Sequence, residues 1–255
     1  MKRDILVQVK NVRRFIEAMQ DLWNRAVGIE GMGLVIGERG MGKTRTSIWY
    51  VANVLDTIYC RAKANWSPGW MYREILFELG MAGDRILEHL HNQAVSALKE
   101  RPRMIFVDEI KHLLTSSRLI ESLKDLHDAS GCPIVFLAET GEERALARFV
   151  SLFDRFNQIV QLTQLDAEDI EMIITSLMEI EMDEEARKAF IDLTEKRFRP
   201  TIIGLFKLER WCKTMKVEPI TASHVRGILA GKGALSRNRT IQPKKAATIT
   251  ALEQG

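Results

Sequence analysis

The sequence predicts an α/β protein: a parallel sheet with helices on its faces, followed by a smaller helical unit. Three observations predict it. Short apolar runs at residues 33–37, 104–107 and 133–138 alternate with helix-patterned stretches. A glycine-rich turn joins the first run to a helix. From residue 166 onward the periodicity is helical, punctuated by Pro200 and Pro219.

Residues 10–26 place Val12, Phe15, Ile16, Met19, Leu22 and Trp23 three and four apart, the spacing of one helical face. GLVIG at 33–37 is bounded by glycines, as a buried parallel strand would be, and a helix follows through residue 55. A second short strand is expected at 58–62, then the breakers NWSPG at 65–69 and a helix ending toward Gly80. Residues 84–100 repeat Ile86, Leu87, Leu90, Ala94, Val95 and Leu98 on one face, and Pro102 closes that element. MIFV and PIVFLA are strands flanking a helix that stops at Gly131, and FNQIVQL from Phe156 adds one more strand. The expected divisions are a helical segment at 1–30, a core at 31–164, a helical lid at 165–230 and a flexible basic tail at 231–255. The tail carries Lys232, Arg237, Arg239, Lys244 and Lys245.

A chain of 255 residues, 46% hydrophobic and 28% charged, folds around a core without metal or disulfide staples. Cys60, Cys132 and Cys212 form no Cys-x-x-Cys pair, which argues against a disulfide framework and a zinc site and points to a reducing, cytoplasmic setting. No stretch approaches the roughly 20 apolar residues that cross a bilayer. A net charge of +3 decides nothing about nucleic acid, because the distribution of basic surface matters more than its sum.

Gly37-Glu38-Arg39-Gly40-Met41-Gly42-Lys43-Thr44 matches G-x-x-x-x-G-K-[ST] between an expected strand and an expected helix, the context of a P-loop. Its backbone N–H groups, with those reaching Arg45, would face phosphate oxygens. Lys43 would reach the β- and γ-phosphates, and Thr44 would offer a hydroxyl to magnesium. Asp108 and Glu109 end the next apolar strand. Asp108 is the second anchor for the cation, and Glu109 is placed to deprotonate a water attacking the γ-phosphate, which favours hydrolysis over transfer. ATP and Mg2+ are therefore the expected cofactors.

With these motifs, the strand at 133–138 and the helical segment after 166, the chain resembles AAA+ ATPases. NVRRFIEAMQDLW, GLVIGERGMGKT, FELGM, FVDEIKHL and LFDRF make it similar, more narrowly, to the DNA-transposition branch that includes phage Mu transposition protein B and the TnsC and TniB regulators. The resemblance implies an oligomer, a ring or helical filament on non-specific double-stranded DNA, that selects the transposition target and activates a transposase. It also implies an arginine reaching a neighbour's nucleotide, Arg155 of LFDRF or, second, Arg148. It places a polar sensor at the end of the 133–138 strand, where Glu139 and Thr140 stand instead of a single Asn, Thr or Ser, and a lid arginine at Arg199. DNA contact would fall to Arg61, Lys63, Asn65, Trp66 and Arg73, unless Trp66 packs on the core. Lys2, Arg3, Arg13 and Arg14 offer a second basic patch. A helicase loader or protein-remodelling ATPase with the same engine is the competing function. No metal beyond magnesium is expected, since His89 and His91 do not share a helical face.

Overall fold

The computed structural model describes residue 2 and residues 5–54 and 56–237. Five parallel strands form one sheet in the order β2-β3-β4-β1-β5: β1 Met32–Gly37, β2 Thr57–Arg61, β3 Met104–Asp108, β4 Ile134–Glu139 and β5 Phe156–Gln161. The central strands are buried on both faces, which is why they read as unbroken apolar runs rather than alternating ones. Their side chains nevertheless divide by parity. Leu34 and Ile36 join the core beneath α3 Pro68–Glu78, α4 Leu87–Glu100 and α5 Ser117–Ser130, while Val35 faces α1 Lys10–Trp23 and α2 Lys43–Asn53.

The helical C-terminal part, expected from the sequence to be a lid, comprises α8 Ala167–Leu177, α9 Glu184–Leu193, α10 Phe198–Met215 and α11 Ala222–Arg237, around a separate core that includes Ile170, Phe190, Leu205 and Val225. Asp166 caps α8, accepting from the Asp169 N–H at 2.8 Å. Helix α1 belongs to both halves. Phe15, Met19 and Leu22 lie against the sheet, and Val9 and Val12 enter the lid core. The Lys10 amide donates to Asp169 at 2.9 Å and Asn11 donates to the Thr163 carbonyl at 2.7 Å, which fastens the start of α1 to the lid's entry.

The expected fold class is the observed one, with local differences. Helix α4 starts at Leu87, because Asp84 Oδ1 accepts from the Arg85 and Ile86 amides and holds a turn there. Ile86 and Leu87 are consequently exposed, and the buried face is Leu90, Ala94 and Leu98. Two short helices, α6 Glu142–Leu146 and α7 Val150–Phe153, lie between β4 and β5, too brief to leave a periodic signal. Helix α11 runs on to Arg237 through the stretch read as tail. The remaining tail, residues 238–255, and Arg3 lie outside the described residues. Among the described residues no helix is long and apolar enough to cross a membrane, and the three cysteines are buried and free.

Candidate nucleotide site

The loop from β1 to α2 turns through Gly40 at φ +87° and Gly42 at φ +97°, a region an L side chain enters only with strain. Space is also limiting at these positions. A Cβ on Gly42 would lie 3.3 Å from the Phe198 ring, and one on Gly40 would lie 3.4 Å from Arg199 Cβ. The start of α10 therefore rests directly on the loop, and the Arg199 amide donates to the Gly40 carbonyl at 3.2 Å. Lys43 is 8% exposed and donates to the Gly37 carbonyl at 2.5 Å and that of Glu38 at 3.2 Å. Burial lowers its pKa, against the opposing pull of Glu139, Asp108, Glu142 and Glu109.

Asp108, 4% exposed, receives three hydrogen bonds: the Thr44 hydroxyl on Oδ2 at 2.6 Å, the Tyr59 hydroxyl on the same oxygen at 2.7 Å, and the Glu109 amide on Oδ1 at 2.7 Å. Glu109 sits just past β3 at φ 57°, ψ 45°, a left-handed conformation that costs a non-glycine residue on the order of 1 kcal/mol. Its carboxylate is bracketed by Lys111 at 2.7 Å and Arg61 at 2.9 Å, and these two cations hold its pKa below the ordinary glutamate value. Across the site, Glu142 accepts from the Glu139 amide at 2.7 Å, and burial, reinforced by the nearby Glu139 charge, raises its carboxyl.

These groups line a cavity of about 550 Å³ between sheet, loop and lid. Arg39, Gly40, Gly42, Lys43, Thr44, Arg45, Asp108, Glu109 and Arg199 all border it, as do Arg61 and, at the end of β4, Glu139. Of the other loop residues, Gly37 and Met41 are buried and Glu38 is exposed, and none of the three is in the lining. Thr140, the alternative to Glu139, is exposed and also outside it. The donor set suits its expected occupants. Arg39, Lys43, Arg45 and Arg199 lie in or beside the loop, where phosphates would lie, and a hydroxyl and a carboxylate 2.6 Å apart offer the hard oxygen ligands magnesium prefers.

Arg155 is absent from the cavity lining. Its guanidinium donates to Asp128 Oδ1 at 2.6 Å and to the Glu30 oxygens at 3.2 and 3.4 Å. Ligand atoms of Glu30, His127 and Asp128 lie within 4.8 Å of one another, a spacing that would suit an ion, and Arg155 already supplies the positive charge there. Arg148 is exposed, with no ion pair among the described residues.

The DNA residues expected from sequence are not gathered as a free patch. Trp66 is core: it is 7% exposed and its indole N–H donates to Glu74 at 3.2 Å, so the ring is unavailable to stack on a base. Lys63 pairs with Glu74 at 2.7 Å and lies 5.5 Å over the Trp70 ring, while Arg73 donates to the Asp84 and Arg85 carbonyls at 3.2 Å. Arg61 is one of the two cations bound to Glu109. Tyr59, Lys111 and Glu142 went unnoticed in the sequence because their partners are set by strand register and loop path, not by local spacing.

Residues 28–146 match the family model described as an AAA domain. The chain carries an AAA-type P-loop domain. No curated protein sequence matches the chain. Among solved structures it is similar to Aeropyrum pernix ORC2 in its ADPNP–ADP complexes, at 16% identity, over 90% of this chain and 70% of that one, with TM-score 0.69. Aeropyrum pernix ORC1 in complex with DNA is 16% identical over 92% of this chain and 67% of that one, TM-score 0.63. The Thermotoga maritima RuvB Holliday junction branch migration motor is 18% identical over 87% and 68%, TM-score 0.59. At such identities the likeness is one of AAA fold.

Proposed function

We propose that the protein is a magnesium-dependent ATPase that oligomerises on duplex DNA and regulates a transposase. The observation that carries the ATPase reading is that Lys43, Thr44, Asp108 and Glu109 line one cavity that the start of α10 borders through Phe198 and Arg199. Lys43 would hold the β- and γ-phosphates, with Arg199 reaching them from the lid. Thr44 and Asp108 would hold magnesium, which supplies positive charge against the phosphates. Glu109, freed from Arg61 and Lys111, would take the proton of a water that adds to the γ-phosphorus as ADP leaves. Arg155 is proposed to leave Glu30 and Asp128 for the nucleotide of a neighbouring subunit.

The DNA half draws support from the neighbours of like fold, ORC1 in complex with DNA and the RuvB branch migration motor. The transposition role rests on the sequence phrases alone. Arg61, Lys63 and Arg73 remain its proposed phosphate contacts. Arg61 and Lys63 are held by exposed ion pairs worth about 0–1 kcal/mol, which a phosphate can replace. Because Arg61 also holds Glu109, phosphate contact there would free the proposed base.

The test is a mobility shift on random-sequence duplex DNA with ATP analogue across a salt series, paired with electron microscopy of the same mixtures. We expect nucleotide-dependent binding that falls steeply with salt, and ordered assemblies on DNA. A protein that hydrolyses ATP but shifts no DNA at low salt would leave the protein-remodelling function in its place.

A further inference from the structure

Strand parity and register bring together two side chains that lie 49 residues apart in the sequence. Tyr59 pairs with Phe106 in the β2–β3 ladder, and Asp108 lies two residues further along β3, on the same face of the sheet. The phenol thus points along the sheet toward the carboxylate and donates to Asp108 Oδ2 at 2.7 Å. That oxygen also receives the Thr44 hydroxyl at 2.6 Å, and Oδ1 is engaged by the Glu109 amide. In this bond the phenol O–H is the donor, because an ionised carboxylate only accepts.

We propose that Tyr59 is a positioning residue for the cation site, orienting the Asp108 carboxylate through Oδ2 so that Asp108 and the Thr44 hydroxyl present their oxygens together. This rests on the reading that Thr44 and Asp108 hold magnesium. Two donors on one oxygen fix the rotation of the carboxylate, and the amide on the other fixes its plane. Without the phenol, Oδ2 keeps a single donor on a side chain that can rotate. Asp108 itself is 4% exposed, so water does not readily replace the missing donor. The ring of Tyr59 is half-buried beside the core that contains Phe106 and Tyr50, and Tyr59→Phe leaves that packing in place.

The experiment is equilibrium binding of a fluorescent ATP analogue to the full chain, titrated with Mg2+ and repeated in EDTA. For Tyr59→Phe we expect affinity in EDTA within about twofold of the parent and a midpoint for Mg2+ enhancement raised about five- to tenfold. The paired variants Asp108→Asn and Asp108→Asn/Tyr59→Phe should have the same Mg2+ dependence as each other, because the phenol acts only through the carboxylate. An unchanged Mg2+ midpoint in a folded Tyr59→Phe protein, judged by its melting temperature, would make Tyr59 a packing residue and overturn the proposal. So would an equal further shift in the Asp108→Asn background. A parent protein that binds the analogue without any response to Mg2+ would overturn the parent reading of the site instead, which keeps the two failures apart.

Discussion

Asp108 and Arg155 are both charged, and both have partners of opposite or complementary polarity, yet they are held in different ways. Asp108 is 4% exposed and fixed by three donors within 2.7 Å, one of them its neighbour's backbone. The Arg155 side chain is 26% exposed and is held by two carboxylates that are themselves more than a third exposed. Water competes for every contact at Arg155 and for few at Asp108. The floor of the cavity is therefore pre-set, while the residues proposed to meet DNA or a second subunit rest in contacts that can be exchanged.

The largest expected effect is on the floor. Lys43→Ala should abolish nucleotide binding, a loss of at least about 100-fold in a titration with fluorescent ATP analogue, because the buried ammonium proposed to meet the phosphates is removed. Micromolar binding by that variant would break the floor reading. Glu109→Gln should keep affinity within a few fold and lower steady-state hydrolysis by about 10²–10⁴-fold, and normal turnover would remove Glu109 from its proposed role. Gly42→Ala combines positive φ with contact against Phe198, so a loss of about 1–3 kcal/mol in unfolding free energy is expected from denaturant titration. Gly131→Ala, also at positive φ but with open space around it, should cost only about 1 kcal/mol.

The rim should respond more gently. The Glu109 carboxyl is held below its ordinary 4.5 by Lys111 and Arg61. The stabilisation from this pairing is thus present above the unfolded-state pKa and is lost as pH falls through the lower folded value. The acid limb of the kcat/KM profile, which reports the free enzyme in which both cations still hold Glu109, should accordingly lie below pH 4.5, the ordinary glutamate value, and Lys111→Ala should move it upward. The smallest effect is expected from Asp128→Asn, which should change stability by about 0–1 kcal/mol. It should also lower the protein concentration at which hydrolysis becomes assembly-dependent, because Arg155 then loses one of its two ion pairs and keeps only that with Glu30 and the hydrogen bond from Nε to the Ser151 carbonyl at 3.1 Å. A large loss of stability in that variant would mean the rim is as fixed as the floor.

The same contrast explains what the sequence revealed. Strands β1, β3 and β4 were legible because burial on both faces writes them as continuous apolar runs, and the loop from Gly37 to Thr44 was legible because its chemistry is contiguous. Tyr59 on Asp108, Arg61 on Glu109 and Arg155 on Glu30 join residues 49, 48 and 125 positions apart, and no local pattern encodes such pairs. Trp66 stood beside basic residues and breakers, and only the packing against Glu74 and the sheet decides that it is core.

Because Val9 and Val12 complete the hydrophobic interior of the C-terminal bundle, that bundle is not a self-sufficient fragment. Expressed from residue 165 onward it would present an uncovered greasy face and tend to aggregate. In the whole chain, calorimetry should record one cooperative melting peak, not two.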